Sequence, residues 1–474
     1  MRFSEIRAKR TAIWGWGREG QAVYAALRAW ERRHCDSGKP CALTLFCSPH
    51  DVLSPQVAAD AALTVCRQVT AEHLMRFDVI IKSPGISPYH PPASVAHQAG
   101  VHFISETLVW FAEHATAEAD LPQSLCVTGT KGKSTTTALI AHLLRAAGHR
   151  TALAGNIGLP LFDLDATVPP AQFWAIELSS FQTRAVAESG VRPHVAVVLN
   201  VFAEHLDWHG SRSRYCSDKL ALLTDARPKF AVLNATDPVL GTLSLPHSHV
   251  VWFNHPAGWH IEQQTLKYQK NNVLSMAQFP LSGQHNRENL CAALAALDAV
   301  GLDAMALAHH VYSFRPLPHR LQILGWRDAL TWVNDSISTT PQASLAALAS
   351  FSGRPVVLLL GGFDRGIDWN ACAARFTHDA PLVIVTHGAN GQRIFAALAP
   401  YAPDRFRLEA RDCLADAVEL ARHLAVGSQS VVLLSPGAPS FDAYANYIER
   451  GHHFAKLAGF DQFEAAEVSG LGIF

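Results

Sequence analysis

A short segment of the chain has the residues of a phosphate-binding loop. Residues 128–135 read TGTKGKST, with the apolar pair Cys126-Val127 before them and a helix-forming stretch after them. Backbone N–H groups at the start of a helix can surround a phosphate, and the helix dipole favours its charge. Lys133 would reach the outer phosphates of a nucleotide, and Ser134 would lie near Mg²⁺. The segment departs from the usual G-x-x-x-x-G-K-[ST] pattern because Val127 stands at the first glycine position.

A second glycine-rich loop lies near the N-terminus. Residues 15–20 read GWGREG and follow an apolar run that predicts a strand. A dinucleotide site would need a carboxylate at the end of the next strand, about 20 residues on. That strand, ALTLFC at 42–47, ends without one. We therefore expect no dinucleotide, although a diphosphate could bind at this helix start.

Two further residues suit a metal site beside the first loop. Glu177 ends the apolar run FWAIE, and His205 follows the next run, VAVVLN. Ligands of α/β sheets gather at the carboxyl ends of the strands, so both residues are expected near Lys133. A carboxylate, an imidazole and a hydroxyl can hold Mg²⁺ against nucleotide phosphates. A packed or solvated histidine is the alternative for His205 alone.

Apolar runs alternate with helical patterns along almost the whole chain, which predicts an α/β fold with parallel sheets buried on both faces. The predicted strands are TAIWGWG, ALTLFC, VIIKSPG, SLCVTG, FWAIELS, VAVVLN, FAVLNA, VVLLLGG, LVIVTHG and VVLLSPG. The polar stretch HATAEADLPQ at 114–123 and the stretch RPLPHR at 315–320 separate three groups of strands. We predict three domains, at 1–113, 114–315 and 316–474.

Composition excludes several classes of protein. The formal net charge of the 474 residues is -1, so no basic field for nucleic acid is expected. The 9 cysteines form no C-x-x-C pair and their number is odd, which argues against a disulfide framework or a structural zinc. No apolar run approaches the roughly 18 residues of a spanning helix. We expect a cytoplasmic protein without membrane or nucleic-acid partners.

Eight motifs make the chain resemble a known family over nearly its whole length. TGTKGKSTTT, GNIG, ELSSFQ, NVFAEHLDWHGS, YCSDKLAL, HNRENL, RPLPHR and NDSISTTP occur in the order of the Mur ligases, the ATP-dependent amino-acid ligases of peptidoglycan precursor synthesis. The resemblance implies a Rossmann-like UDP-binding N-terminal domain, a central P-loop ATPase-like domain and a Rossmann-like C-terminal domain. GNIG close to ELSSFQ, and SPGAPSFDAY near the end, look most like the glutamate-adding branch, which extends UDP-N-acetylmuramoyl-L-alanine.

The resemblance also implies a reaction and the residues that perform it. ATP would phosphorylate the substrate carboxylate, and the amine of glutamate would displace the phosphate. The implied catalytic residues are Lys133, Glu177, His205 and Lys219. The implied Mg²⁺ ligands are Ser134, Glu177, His205 and Lys219, with Lys219 carbamylated by CO₂. The implied ATP contacts are Gly129, Thr130, Lys131, Gly132, Lys133, Ser134, Thr135, Asn286, Asn289, Arg320 and Asp335. The implied UDP-sugar contacts are Gly17, Arg18, Ser83, Gly85, Asn156, Ser180 and Gln182. The implied glutamate contacts are Thr339, Arg365, Ser440 and Tyr447.

Three positions depart from the usual D-glutamate-adding pattern. Ile337 and Arg365 stand where that branch has lysines, and Tyr447 stands where it has a phenylalanine. An apolar side chain cannot replace an ammonium, and a planar guanidinium binds a carboxylate differently from one. NDSISTTP and GWGREG look like the branch that adds L-glutamate, which would need a downstream epimerase. We expect L-glutamate as substrate and a monomer.

Three alternatives stay open from the sequence. The same ligation with D-glutamate differs only in the third-domain pocket. A folylpolyglutamate synthase would lack the UDP-binding first domain. A P-loop regulatory or motor ATPase would need no amino-acid pocket.

Overall fold

We analysed a computed structural model of the chain, which divides into two compact units. It describes residues 1–35, 40–49, 51–157, 159–165, 168–202, 206–281, 283–315, 317–364, 366–425, 430–460 and 472–473. The first unit is Met1–Phe279, Gln284–Phe314 and Gly470–Phe474, and the second is Pro280–Gly283 and Arg315–Ser469. The predicted boundaries at 113/114 and 315/316 stay predictions. His205 and Arg365 lie outside the described residues.

A five-stranded parallel sheet occupies the N-terminal part of the first unit. Its strands are β1 (Thr11–Trp14), β2 (Leu43–Phe46), β3 (Leu63–Cys66), β4 (Val79–Lys82) and β5 (His102–Ile104), in the order β3-β2-β1-β4-β5. Its helices are α1 (Phe3–Arg7), α2 (Arg18–His34), α3 (Pro55–Ala58), α4 (Ala71–Leu74), α5 (Ala93–Gln98) and α6 (Glu106–His114). The glycine-rich loop of residues 15–17 therefore joins the carboxyl end of β1 to the start of α2.

A second sheet forms the centre of the same unit. Its strands are β6 (Asp120–Thr128), β7 (Thr151–Gly155), β8 (Phe173–Glu177), β9 (Arg192–Val198), β10 (Phe230–Asn234) and β11 (His249–Phe253). Their order is β11-β10-β9-β6-β8-β7, all parallel, and Gly472–Ile473 pairs antiparallel with β7. The helices between these strands are α7 (Lys133–Ala146), α8 (Thr183–Glu188), α9 (Leu206–His209) and α10 (Arg212–Thr224).

A small antiparallel sheet and two helices complete the first unit. The strands are β12 (Trp259–Glu262), β13 (Thr265–Tyr268) and β14 (Asn271–Ser275), and the helices are α11 (Gln284–Ala299) and α12 (Ala304–Leu307). The sequence analysis did not predict these strands, because they are short and only partly buried.

The second unit contains a six-stranded sheet. Its strands are β15 (Gln322–Arg327), β16 (Leu330–Asn334), β17 (Val356–Gly361), β18 (Val383–His387), β19 (Arg407–Ala410) and β20 (Val431–Leu434), in the order β15-β16-β20-β17-β18-β19. Only the β15–β16 pair is antiparallel. Its helices are α13 (Pro341–Ala349), α14 (Asn370–Ala373), α15 (Gly391–Leu398), α16 (Ala402–Arg405), α17 (Leu414–Leu424) and α18 (Tyr447–Leu457).

The ten predicted apolar runs all form strands in this structure, which confirms the α/β fold. β17 shows why: all six residues of VVLLLG are buried, because helices cover both faces of the sheet. Among the described residues, no helix combines the length and the apolar composition needed to span a membrane.

Polar and aromatic contacts join the first sheet to the central one. Trp110 Nε1 of α6 donates to Asp165 Oδ1 (3.0 Å), and the Trp110 ring packs on Trp174 of β8 at 4.6 Å. Trp208 Nε1 of α9 donates to the carbonyl of Pro84 beyond β4 (3.0 Å). These contacts explain why residues 1–113 fall into one compact unit with the central sheet.

Truncation in the buried β17 should cost far more stability than truncation of an exposed leucine. Leu358 lies at the centre of the strand and is fully buried, whereas Leu382 is 41% exposed. Leu358→Ala should lower the free energy of unfolding by about 2–5 kcal/mol, because it leaves a cavity. Leu382→Ala should stay within about 0.5 kcal/mol of the unchanged chain. Denaturant titration compares the two, and equal losses would contradict the placement of β17.

Candidate active site

The loop between β6 and α7 is held tightly by its surroundings. Gly132 precedes α7 with a φ of 88°, and a Cβ there would lie 2.4 Å from Asn289 Oδ1. Both features exclude a side chain at this position. No side chain caps the start of α7, and N–H groups at such a helix start can bind an anion. The geometry is that of a phosphate-binding loop.

Two lysine ammonium groups meet at one carbonyl oxygen of this loop. Lys133 Nζ donates to the carbonyls of Gly129 (3.0 Å) and Thr130 (3.1 Å). Lys219 Nζ, from α10, also donates to the Gly129 carbonyl (2.9 Å). Lys219 is only 1% exposed, and its ammonium lies 5.2 Å from the centre of the Tyr215 ring. The structure thus brings Lys219 to the loop, although 86 residues separate it from Lys133 in sequence.

Glu177 offers a carboxylate oxygen to a cation. It ends β8 opposite Val127 of β6, immediately before the loop, and is buried. Its Oε1 accepts a hydrogen bond from Asn156 Nδ2 (2.8 Å), while its buried Oε2 has no partner among the described residues. Ser134 is buried in the first turn of α7. A buried carboxylate oxygen without a partner beside a phosphate loop suits a hard cation.

These donors suit an Mg²⁺ ion that is bound partly by substrate and water, rather than a metal ion held entirely by protein ligands. In the described part of the chain, no three His, Cys, Asp or Glu side chains cluster as metal ligands. Mg²⁺ commonly takes one or two protein oxygens and completes its shell with substrate phosphates and water. Glu177 and Ser134 supply such oxygens.

Neighbouring side chains fix the loop and its rim. Asn286 and Asn289 lie buried in the first turns of α11, and Asn289 Nδ2 donates to Asn286 Oδ1 (3.3 Å). The Thr130 hydroxyl bonds the Tyr215 hydroxyl (2.6 Å), and the Lys131 N–H donates to Asn200 Oδ1 (2.9 Å). Thr135 is buried in α7. The predicted ATP contacts of the first unit are therefore gathered around one loop.

The predicted UDP-sugar residues lie at two neighbouring edges. Gly17 precedes α2, which begins at Arg18, and no side chain caps this helix start. Ser83 follows β4, and its buried hydroxyl has no partner among the described residues. A Cβ at Gly85 would meet open space. In the central part, Gln182 donates through Nε2 to Glu19 Oε1 (3.0 Å), which connects the two sheets.

A buried chain of hydrogen bonds was missed by the sequence analysis. His209 Nε2 bonds the Ser180 hydroxyl (3.0 Å), and His209 Nδ1 bonds Asp218 Oδ2 (2.8 Å). Tyr89 donates its hydroxyl to both Asp218 oxygens (2.9 and 2.8 Å), and Arg184 Nε donates to Oδ1. Burial alone would raise the pKa of Asp218, but the bonds from His209, Arg184 and Tyr89 hold this pKa below its ordinary value. Asp218 directly precedes Lys219, so the network anchors that lysine.

The second unit contains the remaining predicted contacts. Asp335 is buried after β16, where its Oδ1 accepts from the Leu321 N–H (3.0 Å) and its Oδ2 from the Ser435 hydroxyl (2.8 Å). Burial raises the pKa of Asp335. Arg320 directly precedes Leu321, whose N–H donates to Asp335. Arg320 is therefore close enough for its charge to act on Asp335. Thr339 lies just before α13, Ser440 is buried after β20, and Tyr447 begins α18.

Arg450 is a second residue that the sequence analysis missed. Its guanidinium is 1% exposed, and it donates to the Ser336 hydroxyl (3.0 Å), the Ser336 carbonyl (2.7 Å) and the Ala438 carbonyl (3.0 Å). Burial lowers the pKa of Arg450 to about 10. Ser336 belongs to the NDSISTTP motif and Ala438 to SPGAPSFDAY. Arg450 therefore fixes the two loops that carry Thr339 and Ser440.

Comparisons with known proteins point to one family. The Mur ligase middle domain matches residues 127–297, and the Mur ligase, glutamate ligase domain matches residues 319–437. Two relatives named UDP-N-acetylmuramoyl-L-alanine--L-glutamate ligase, from Xanthomonas oryzae pv. oryzae and Xylella fastidiosa, are 55% and 56% identical to this chain. Each match covers 100% of this chain and 100% of the relative. The MurF ligase from Thermotoga maritima in complex with ADP shares the fold (TM-score 0.55, 14% identity, 97% of this chain and 95% of that chain covered).

Replacing Asp218 by asparagine should destabilise the chain measurably. Asp218→Asn removes the charge and turns one acceptor into an N–H₂ group that faces other donors. We expect a loss of about 1–3 kcal/mol in the free energy of unfolding. Asp225→Asn is the matched control. This side chain is 51% exposed, and its ion pair with Arg184 is long, with 3.4 Å between nitrogen and oxygen. Its effect should stay within about 0.5 kcal/mol. Equal midpoints for both variants in chemical unfolding would contradict the network.

Proposed function

Since the chain belongs to the Mur ligase family, we propose that it is an ATP-dependent ligase that joins L-glutamate to UDP-N-acetylmuramoyl-L-alanine in peptidoglycan precursor synthesis. The observation that carries this proposal is full-length likeness to ligases named for that reaction. The phosphate loop with Lys133, Lys219 and Glu177 around it supports the ATP-dependent step.

The chemistry follows from the poor reactivity of a carboxylate. An oxygen of the alanyl carboxylate attacks the γ-phosphorus of ATP, the bond to the bridging oxygen breaks, and ADP leaves. The resulting acyl phosphate has a good leaving group. The neutral amine of glutamate attacks its carbonyl carbon, the amide bond forms, and phosphate departs with the former carboxylate oxygen. The protein's task is to position three substrates and to neutralise charge.

The residues of the first unit suit the phosphorylation step. The N–H groups at the start of α7 and the Lys133 ammonium would bind the β- and γ-phosphates, and Glu177 and Ser134 would hold Mg²⁺. Bound Mg²⁺ neutralises the phosphate charge as a Lewis acid. Asn156 orients the Glu177 carboxylate through its 2.8 Å hydrogen bond to Oε1. Asn286 and Asn289 are the proposed adenine contacts, and Arg320 and Asp335 are further proposed ATP contacts.

The two glycine-rich loops bind different nucleotides: the β6–α7 loop binds ATP, and the β1–α2 loop binds the UDP part of the substrate. Gly17, Arg18, Ser83 and Gly85 bind the UDP part of the substrate at the edge of the first sheet. Asn156, Ser180 and Gln182 contact the sugar and its alanyl arm beside the central sheet. The hydrogen bond from Gln182 to Glu19 supports a continuous path between these two groups.

The proposed glutamate contacts are Thr339, Ser440 and Tyr447, together with Arg365, which lies outside the described residues. Arg450 positions the loops of Thr339 and Ser440. Ile337 has no charge with which to bind an α-carboxylate. The carboxylates of the bound amino acid must therefore contact other residues. The product would need a downstream epimerase to supply the D-form. The proposed enzyme is a cytoplasmic monomer.

Lys219 is carbamylated in the active enzyme. Its neutral amine attacks CO₂ and one proton leaves, which makes a carbamate anion. This anion would be an Mg²⁺ ligand, as would His205, which lies outside the described residues. The remaining N–H can still donate to the Gly129 carbonyl, which the ammonium contacts at 2.9 Å. Carbamylation thus converts a cation into an oxygen ligand without breaking that contact.

An assay with each glutamate enantiomer tests the proposed function. The enzyme receives ATP, Mg²⁺ and UDP-N-acetylmuramoyl-L-alanine with L- or D-glutamate, and phosphate release and product mass are followed. We expect product with L-glutamate only. Product with D-glutamate only would retain the ligase and overturn its stereochemistry. Phosphate release without either amino acid would point to a regulatory ATPase.

Carbamylation of Lys219 is tested by removing and restoring CO₂. Activity should fall in CO₂-depleted buffer and return with bicarbonate, and ¹³C-bicarbonate should give one carbamate NMR signal. Lys219→Ala should lose 10–100-fold or more of the activity, lack the signal and not respond to bicarbonate. Lys229→Ala, at an exposed lysine just before β10, should behave like the unchanged chain. An unchanged rate without CO₂ and no signal would contradict carbamylation.

A further inference from the structure

A buried lysine at the edge of the first sheet lacks a hydrogen-bond partner. Lys82 is the last residue of β4 and is 8% exposed. In the described part of the chain its ammonium makes no hydrogen bond or ion pair; it lies 5.3 Å from the centre of the Trp208 ring, and the Glu19 and Glu188 carboxylates act on it through space. Burial lowers the pKa of Lys82 to about 8. The side chain is mostly buried, and an anion bound to this ammonium would offset the cost of that burial.

A carboxylate faces this lysine without touching it. Glu19 lies in the first turn of α2, and its Oε1 accepts from Gln182 Nε2 (3.0 Å). Its buried Oε2 has no partner among the described residues. Burial raises the pKa of Glu19 to about 7, against the opposing effects of the Lys82 charge and the Gln182 bond. The two charges act on each other through space, yet they do not close into an ion pair.

The surroundings of this pair are those of an anion site. The hydroxyl of Ser83, next to Lys82, is also buried and has no partner among the described residues. A Cβ on Gly15 would lie 2.4 Å from that hydroxyl, so Ser83 packs against the glycine-rich loop. The 17-residue α2 begins beside it without a side-chain cap. The Lys82 ammonium, the Ser83 hydroxyl and the start of α2 all belong to the edge of the sheet where β1 and β4 end.

We propose that Lys82 and Glu19 bind the UDP-sugar directly: the Lys82 ammonium binds a diphosphate oxygen, and Glu19 Oε2 accepts a hydrogen bond from the sugar. This inference rests on the proposed function. An anion alone would satisfy Lys82 and be repelled by Glu19. A ligand that carries an anion next to a hydroxyl or acetamido N–H satisfies both, and a nucleotide sugar has this chemistry.

The position of Glu19 also sets the orientation of the bound sugar. Gln182 Oε1 accepts from the Ser179 N–H (3.0 Å) and hydroxyl (2.9 Å), so Glu19 and Ser179 together fix the amide of Gln182. Ser179 lies two residues beyond Glu177. A sugar bound to Glu19 therefore points its alanyl arm along the ELSSFQ loop toward the phosphate loop.

The test is calorimetric binding of UDP and of UDP-N-acetylmuramoyl-L-alanine to the full chain without ATP. Lys82→Met keeps the length and removes the charge, and it should weaken both ligands by about tenfold or more, since bonds to charged groups are the strong ones. Glu19→Gln should weaken the UDP-sugar by about fivefold and leave UDP bound as tightly as before or more tightly. Lys9→Met, at the opposite end of β1, is the matched control and should change neither.

The outcomes separate this inference from the proposed function. Thermal unfolding checks each variant, and the double variant Glu19→Gln with Lys82→Met removes both buried charges if one single variant fails to fold. Unchanged UDP affinity in Lys82→Met, or in the folded double variant, would overturn the role of Lys82. Equal losses of UDP and UDP-sugar in Glu19→Gln would overturn the sugar contact. If the unchanged chain bound neither ligand, the proposed function itself would fail.

Discussion

The active site depends on one backbone carbonyl. The Gly129 oxygen accepts hydrogen bonds from Lys133, the first residue of α7, and from Lys219, in α10. Two ammonium groups at one acceptor hold an α-helix from a distant part of the chain against the phosphate loop. The buried Asp218 network fixes the other side of that helix. This contact is what brings the second charged residue, Lys219, to the phosphate loop.

The parallel arrangement of the strands determines where the other site residues lie. Val127 and Glu177 stand opposite each other in β6 and β8, so the carboxylate emerges directly beside the loop. The first sheet repeats this arrangement with β1, β4 and the start of α2. At both edges a buried oxygen has no partner among the residues that the structure describes, Glu177 Oε2 at one and Glu19 Oε2 at the other. Since buried polar atoms are almost always paired, both edges are built for ligands.

The sequence was sufficient where the signal is local. Continuous apolar runs identified ten strands, and the glycines with Lys133 identified the loop, because both depend on adjacent residues. The other strands, namely β3, β5, β7, β11 to β16 and β19, were not predicted. Most of them contain polar or half-buried residues, whereas β7 and β16 are largely buried but have threonine, glycine or asparagine among their five residues. Arg450 and Asp218 were missed for another reason. Their partners are distant in sequence: Ser336 is 114 residues from Arg450, and Tyr89 is 129 residues from Asp218. Such contacts follow only from the fold, and His205 and Arg365 lie outside the described residues.

The central claim is that ATP activates the substrate carboxylate as an acyl phosphate. The most direct measurement labels the alanyl carboxylate of UDP-N-acetylmuramoyl-L-alanine with ¹⁸O and determines the isotope content of the released phosphate after turnover with L-glutamate. The account predicts one ¹⁸O atom in each phosphate, because the bond that breaks lies between the carbonyl carbon and the former carboxylate oxygen. Unlabelled phosphate, or label found in AMP, would contradict it.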